Sequence, residues 1–406
     1  MIEFENQPVR SQFPSLDAKV YGNPLVYLDS GATTLKPKFV VEGLTEFYLY
    51  KASNVHRGAH YLSDVATTEF ENARERVRGF LGATTAEEIV FTRGTTESIN
   101  LVANILKGTK ITAGDEILVS EMEHHSNIVP WQMVAEAVGA QVKFVPITSE
   151  GKLDLSQYKE LLTAKTKVVS LTHCSNVLGT FNPLKEMFVM AKEVGALTVA
   201  DGAQAVSVMP VDVVDLGCDF YCFSGHKIFG PFGIGVLYGR KELLNALPPY
   251  QGGGSMISKV DKSHSTYLSS PQRYEAGTPH ISGAVGLSRA IEFVQTIGFD
   301  EIHEHEMKLL AMAHEGLKAV KNLTIYGDND SKSSIVSFNI KGAHHSDLAV
   351  LLDRQGVAVR TGHHCCQPLM NVLGVPGTVR ACFSIYNTEE DVKCLLTSLE
   401  KAVGLM

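Results

Sequence analysis

Ser224-Gly225-His226-Lys227 stands between an apolar run, Phe220–Phe223, and the glycine-rich Gly230-Pro231-Phe232-Gly233. A lysine at the end of a buried strand can offer its amine to a carbonyl cofactor as a Schiff base. A solvated loop lysine is the plain alternative, since most lysines lie on surfaces. Asp201, in Asp201-Gly202-Ala203-Gln204, likewise ends an apolar run, Leu197–Ala200. A carboxylate there can hold a pyridine nitrogen protonated, which makes pyridoxal phosphate an electron sink for a Cα carbanion. Asp201 also suits a helix N-cap, worth ~1 kcal/mol, but capping alone does not explain a lysine at the next strand end.

Arg93-Gly94-Thr95-Thr96-Glu97 precedes a helical pattern over Ser98–Leu106. Free N–H groups at a helix start form a phosphate seat, and threonine hydroxyls add donors. Thr95 or Thr96 as an ordinary N-cap is the alternative. Three strand ends that supply a phosphate seat, a pyridine partner and a lysine make coincidence a poor explanation. His124-His125 follows another strand and offers an imidazole that could stack on the cofactor and move protons; a hydrogen-bonded buried pair is the other reading. Asn176 is placed either to bond a cofactor or substrate oxygen or to make a turn.

A second cluster reads Arg360-Thr361-Gly362-His363-His364-Cys365-Cys366-Gln367-Pro368. Its glycine and proline mark a loop, so Cys365 is expected to be mobile. A free thiol with a pKa of roughly 8.5 is only about 3 % thiolate at pH 7, which gives neighbouring imidazoles and arginine a physical task. Arg360 and Arg380 are candidates to hold a substrate carboxylate, a fork worth roughly 1.5–3 kcal/mol. No metal site is expected, because adjacent His-His-Cys-Cys cannot easily surround one ion and the C-x₂₋₄-C spacing is missing. A Cys365–Cys366 disulfide would be strained. Cys174, Cys218, Cys222, Cys382 and Cys394 mostly fall in apolar runs and read as core.

The elements that must position these residues are short β-branched runs alternating with helical patterns between about Thr84 and Gly239. This is the α/β form of a mainly parallel sheet flanked by helices. Strands are predicted over Glu88–Thr92, Glu116–Ser120, Val142–Ile147, Val168–Thr172, Leu197–Asp201, Phe220–Ser224 and Ile234–Tyr238. A connecting helix over Ser282–Thr296 leads to strands at Ile335–Ile340, Val357–Arg360 and Val379–Phe383, with helices Glu301–Lys321, Ser346–Gln355 and Glu389–Val403. The expected organisation is an N-terminal arm, 1–20, a large α/β domain, 21–290, and a smaller α+β C-terminal domain, 291–406, carrying the cysteine loop.

Composition excludes several classes. With 406 residues, 44 % apolar and 20 % charged, the chain is an ordinary globular protein large enough for two domains. A net charge of −8 and the lack of a basic run argue against nucleic acid. No apolar run reaches the ~18 residues of a membrane helix, and Met1–Asn6 lacks the pattern of an export signal, so a cytoplasmic location is expected. Seven cysteines, an odd number, suit free or catalytic thiols better than a disulfide framework.

Taken together, Asp201-Gly202-Ala203-Gln204, Ser224-Gly225-His226-Lys227, Arg93-Gly94-Thr95-Thr96-Glu97, Glu275-Ala276-Gly277-Thr278-Pro279 and Arg360-Thr361-Gly362-His363-His364-Cys365 closely resemble the Suf-type (group II) cysteine desulfurases. These are class-V enzymes of the fold-type-I pyridoxal-phosphate group. The resemblance runs from about Phe13 to the C-terminus. It implies that Lys227 binds the cofactor aldehyde and moves the Cα proton, Asp201 pairs with the ring nitrogen, Gln204 with the phenolic oxygen, and His124 stacks on the ring. Thr96, Ser224 and His226, with Thr95 beside them, would bind the phosphate, joined by Thr278 from the other subunit of a homodimer. Arg380 and Asn176 would hold the substrate carboxylate, while His56 and Arg360 line the entrance. Cys365 would take sulfur from L-cysteine, leaving alanine, and hand it to a Suf-type acceptor protein for iron–sulfur cluster assembly. Selenocysteine lyase activity is the nearest alternative; aminotransferase or kynureninase-like chemistry, or an idle scaffold, are more distant ones. The resemblance departs at Cys366, where the family usually has a small residue, and Cys366 is expected to be dispensable.

Overall fold

The computed structural model describes residues 2–405. Seven of its strands form one sheet: β1 Ile89–Thr92, β2 Glu116–Ser120, β3 Gln141–Val145, β4 Thr166–Thr172, β5 Leu197–Asp201, β6 Phe220–Ser224 and β7 Gly235–Gly239. Their order is β3-β2-β4-β5-β6-β7-β1. Neighbours from β3 through β6 are parallel, and β7 runs antiparallel to both β6 and β1. Parallel neighbours need crossover connections, here largely helical, and the helices cover both faces, which is why most of these strands are buried along their whole length.

Because β7 is reversed, its start lies at the same edge as the ends of β1 and β6. There the backbones of Gly94 and Gly235 touch: a Cβ on Gly235 would stand 2.3 Å from the Gly94 Cα. Gly94 itself has φ of 154°, a backbone suited to glycine. This contact seats the start of the helix Thr95–Leu106 beside the end of β6.

A second sheet contains β8 Leu323–Tyr326, β9 Ile335–Ile340, β10 Arg360–Gly362 and β11 Thr378–Cys382, in the order β8-β9-β11-β10 and antiparallel throughout. The helices Phe299–Ala319 and Glu389–Gly404 cover it around a separate apolar cluster. The strand expected over Val357–Arg360 is divided: Val357–Ala358 pairs in parallel with Val26–Tyr27, and only then does β10 join the sheet.

That pairing, with Val26 and Leu28 buried in the second cluster, ties the chain's beginning to its C-terminal unit. Residues 21–290 therefore do not lie wholly with the large sheet. The boundary expected after residue 290 also falls inside the helix Ile281–Ile297, which packs against the helices Tyr61–Phe80 and Lys38–Glu46. The N-terminal arm is built into the main core, where Phe13 sits among Phe229, Phe293 and Tyr386. Among the described residues no helix is long and apolar enough to cross a membrane.

Candidate active site

The polar residues that follow β1, β2, β4, β5 and β6 converge on one cavity of about 210 Å³, closed on its far side by β10, β11 and the loop after β10. Thr95, Thr96, His124, Asn176, Asp201, Gln204, Ser224, His226, Lys227, Arg360, Cys365 and Arg380 all line it. Two expected site residues do not. Thr278 lines a separate cavity with Arg93, Tyr250 and Glu275. His56 packs edge-on against Phe70 with its ring 3.5 Å from Glu71, so one chain does not place it at this entrance.

At the sheet edge, burial pushes the Lys227 amine down to about 8, with Asp201 pulling the other way. Asp201 is 3 % exposed, and burial raises its carboxyl above the usual range. Its Oδ1 accepts the Ala203 N–H at 2.9 Å, so the turn-capping reading holds while the carboxyl still lines the cavity. The helix Thr95–Leu106 starts from Gly94 with no side-chain cap; instead Thr95 N–H donates to Ser224 Oγ at 2.8 Å. Neither threonine is therefore spent as an N-cap. The His124 ring accepts the Ser126 N–H at Nδ1, 3.1 Å away, which leaves the proton on Nε2. Burial and the nearby Lys227 lower its pKa to about 3, so the ring is neutral at physiological pH.

At the opposite end, Arg380 is 2 % exposed. Its Nη1 donates to the Asn176 carbonyl at 2.7 Å and its Nη2 reaches Asp29 Oδ1 at 3.2 Å, while its buried Nε has no partner among the described residues. Arg360 reaches the other oxygen of Asp29 at 3.5 Å.

The cysteine loop is tethered rather than free, contrary to the mobility its glycine and proline suggest. His125 N–H donates to the Cys365 carbonyl at 2.7 Å, and Asn176 Nδ2 to the His364 carbonyl at 2.8 Å. His364 and Cys365 both adopt positive φ, 52° and 55°. Cys366 turns into the core, fully buried, with Sγ 3.2 Å and 3.1 Å from the Met122 and Glu123 carbonyls. Burial raises its thiol strongly, and all seven cysteines are free. Cys174, Cys218, Cys222 and Cys382 are buried, as expected of core, and Cys394 is half-buried.

Residues 26–395 match the Aminotransferase class-V family. The chain belongs to this family. A cysteine desulfurase of Pectobacterium carotovorum subsp. carotovorum is 49 % identical over 98 % of both chains. Among solved structures, the cysteine desulfurase CsdA of Escherichia coli superposes with a TM-score of 0.91 at 41 % identity, covering 98 % of each chain. An apo cysteine desulfurase of Thermococcus onnurineus NA1 gives 0.94 at 40 %, covering 100 % of each.

Pyridoxal 5'-phosphate is the cofactor of this class-V enzyme, and the cavity fits it on its own geometry. A buried carboxylate raised by desolvation needs a cationic partner, which a protonated pyridine supplies. An uncapped helix start beside Ser224 and His226 suits a phosphate, and a depressed lysine amine suits an aldehyde.

Three residues that serve the site were not read from the sequence. Asp29 clamps both arginines. Lys36 donates to the His226 carbonyl at 2.8 Å, which fixes the turn carrying Lys227, and burial lowers its pKa to about 7. Glu123, next to His124 in the chain, is fully buried and pushed up to about 8, and accepts from Ser120, Asn127 and the Thr172 N–H. The Asp29-Ser30-Gly31-Ala32 turn after an apolar pair was a signal for the first; nothing local distinguishes the other two.

Proposed function

We propose that this enzyme is a Suf-type cysteine desulfurase, in which L-cysteine and the Cys365 thiol give L-alanine and a Cys365 persulfide. The observation that carries the reading is that Lys227 and Cys365 line one small cavity whose remaining wall holds Arg380, with a buried Nε that has no partner among the described residues. A substrate carboxylate completes that fork, with Asn176 and Arg360 beside it. When bound, pyridoxal phosphate supplies an aldehyde for the substrate amine and an electron sink at Cα. Lys227, with its lowered pKa, accepts the Cα proton as a base at neutral pH. Cys365 as thiolate attacks the substrate sulfur; the new S–S bond forms as the Cβ–S bond breaks, and the electron pair leaves on carbon, which is protonated to the methyl of alanine. His124, neutral with its proton on Nε2, would donate within the cavity. Asp201, Gln204, Thr95, Thr96, Ser224 and His226 hold the cofactor in the roles given above.

The persulfide would pass to a Suf-type acceptor protein for iron–sulfur cluster assembly, in the cytoplasm, where free cysteines such as these persist. A homodimer is part of the reading: Tyr48, Leu49, Tyr50 and Tyr61 are large exposed apolar side chains, and Thr278 lies in a cavity of its own, suited to reach a partner's phosphate. Incubation with L-cysteine and a reductant tests the chemistry. Sulfide and alanine should form with the wild type and be lost in Lys227→Ala and Cys365→Ala; full alanine production by Cys365→Ala would overturn it.

A further inference from the structure

We propose that His125, His363 and Cys365 form a binding site for a thiophilic divalent cation of the zinc class at the mouth of the cavity. Adjacent His-His-Cys-Cys cannot enclose an ion, but the fold adds a ligand from elsewhere: His125, on the short turn His125–Asn127 after β2, comes up against the cysteine loop. The ring centroids of His125 and His363 are 5.5 Å apart, and one donor atom from each of the three residues lies within 4.8 Å of the others. Around a tetrahedral zinc with bonds of about 2.0–2.3 Å, ligand atoms stand roughly 3.3–3.6 Å apart, so side-chain rotations of about an ångström close the site.

Two features favour the metal. Each imidazole already carries an unprotonated nitrogen: His125 Nε2 accepts the Gln367 N–H at 3.0 Å, and His363 Nδ1 accepts the Cys365 N–H at 3.1 Å. Both bonds are at exposed positions, where water takes over the N–H group once the nitrogen turns to a cation. His363 is exposed and the other two residues half-buried, so the fourth position opens to solvent. One thiolate and two imidazoles select zinc over magnesium or calcium. Binding releases the Cys365 proton, M²⁺ plus thiol giving metal thiolate plus H⁺, and occupies the sulfur lone pair needed for attack. The cation thus acts as a reversible cap on the thiol. Its effect on turnover rests on the desulfurase reading; the site itself does not.

Equilibrium dialysis of holoenzyme against zinc chloride is the test, with cobalt chloride in parallel. One zinc per chain is expected in the wild type, with binding lost in Cys365→Ala. Affinity should fall in His125→Ala and His363→Gln by at least the roughly 10–100-fold that losing a ligand's orienting partner costs. Cobalt should show the intense visible bands of a tetrahedral thiolate-bound ion, and zinc should suppress sulfide release until a chelator is added. Equal zinc affinity in all three variants, each checked for cofactor absorbance, or an octahedral cobalt spectrum would overturn the proposal. Zinc retention needs no turnover, so an enzyme that binds zinc here but makes no alanine would sink only the desulfurase reading.

Discussion

Arg360 and Arg380 stand directly opposite each other across β10 and β11, and Asp29 lies between them with one oxygen to each. Like charges opposed across a ladder repel, so this carboxylate neutralises an arrangement the sheet would otherwise resist. Asp29→Asn should lower stability by roughly 2 kcal/mol, less than the ~3–5 kcal/mol of a fully buried pair because Asp29 and Arg360 keep contact with water. A urea midpoint unchanged from wild type would remove Asp29 from this role.

Arg380→Lys keeps the charge and loses the fork. With a charged hydrogen bond worth about 1.5–3 kcal/mol, KM for L-cysteine should rise at least about tenfold. Steady-state kinetics with a KM within twofold of wild type would show that the substrate carboxylate binds elsewhere.

The Lys227 amine, at about 8, sets the pH at which the apoenzyme takes up cofactor. Only the neutral amine attacks an aldehyde, and its fraction grows roughly tenfold per pH unit below the pKa. Uptake followed by absorbance should steepen up to pH 8 and level above it. A rate still climbing at pH 10 would mean that the amine titrates as an ordinary lysine.

Cys366 makes its contacts inside the core and faces the Met122 and Glu123 carbonyls. Cys366→Ala should leave alanine production within about twofold and cost about 1 kcal/mol of stability through the small void. Activity as low as that of Cys365→Ala would instead make the second thiol a participant in sulfur transfer.

Much of this architecture is legible because its strands are buried. β2, β5 and β6 have the bounds the sequence predicts, since strands covered on both faces carry mainly hydrophobic sequence. Leu323–Tyr326 escapes because it is a half-exposed edge strand of four residues without a buried face to pattern it. Tyr61–Phe80 escapes although Ala66, Phe70, Ala73, Val77 and Phe80 mark its buried stripe. The division of Val357–Gly362 was not legible, because its first half pairs with Val26–Tyr27, more than three hundred positions away, and local sequence does not encode such a partner. The cavity follows the same rule: polar residues marked after strands of the large sheet line it, whereas Asp29 and Lys36 act through distant partners, Arg380 and His226, and Glu123 is a buried carboxylate held within the core.

Both carbonyls around the Cys365 thiol are anchored, that of His364 by Asn176 and that of Cys365 by His125. A short span pinned at two successive peptide units has no arm on which to swing. On the proposed reading, an acceptor of the persulfide sulfur would therefore travel the whole distance itself, inserting its own thiol into the cavity mouth instead of waiting at the surface for delivery. Such an acceptor would need a slender, extended tip to enter the recess.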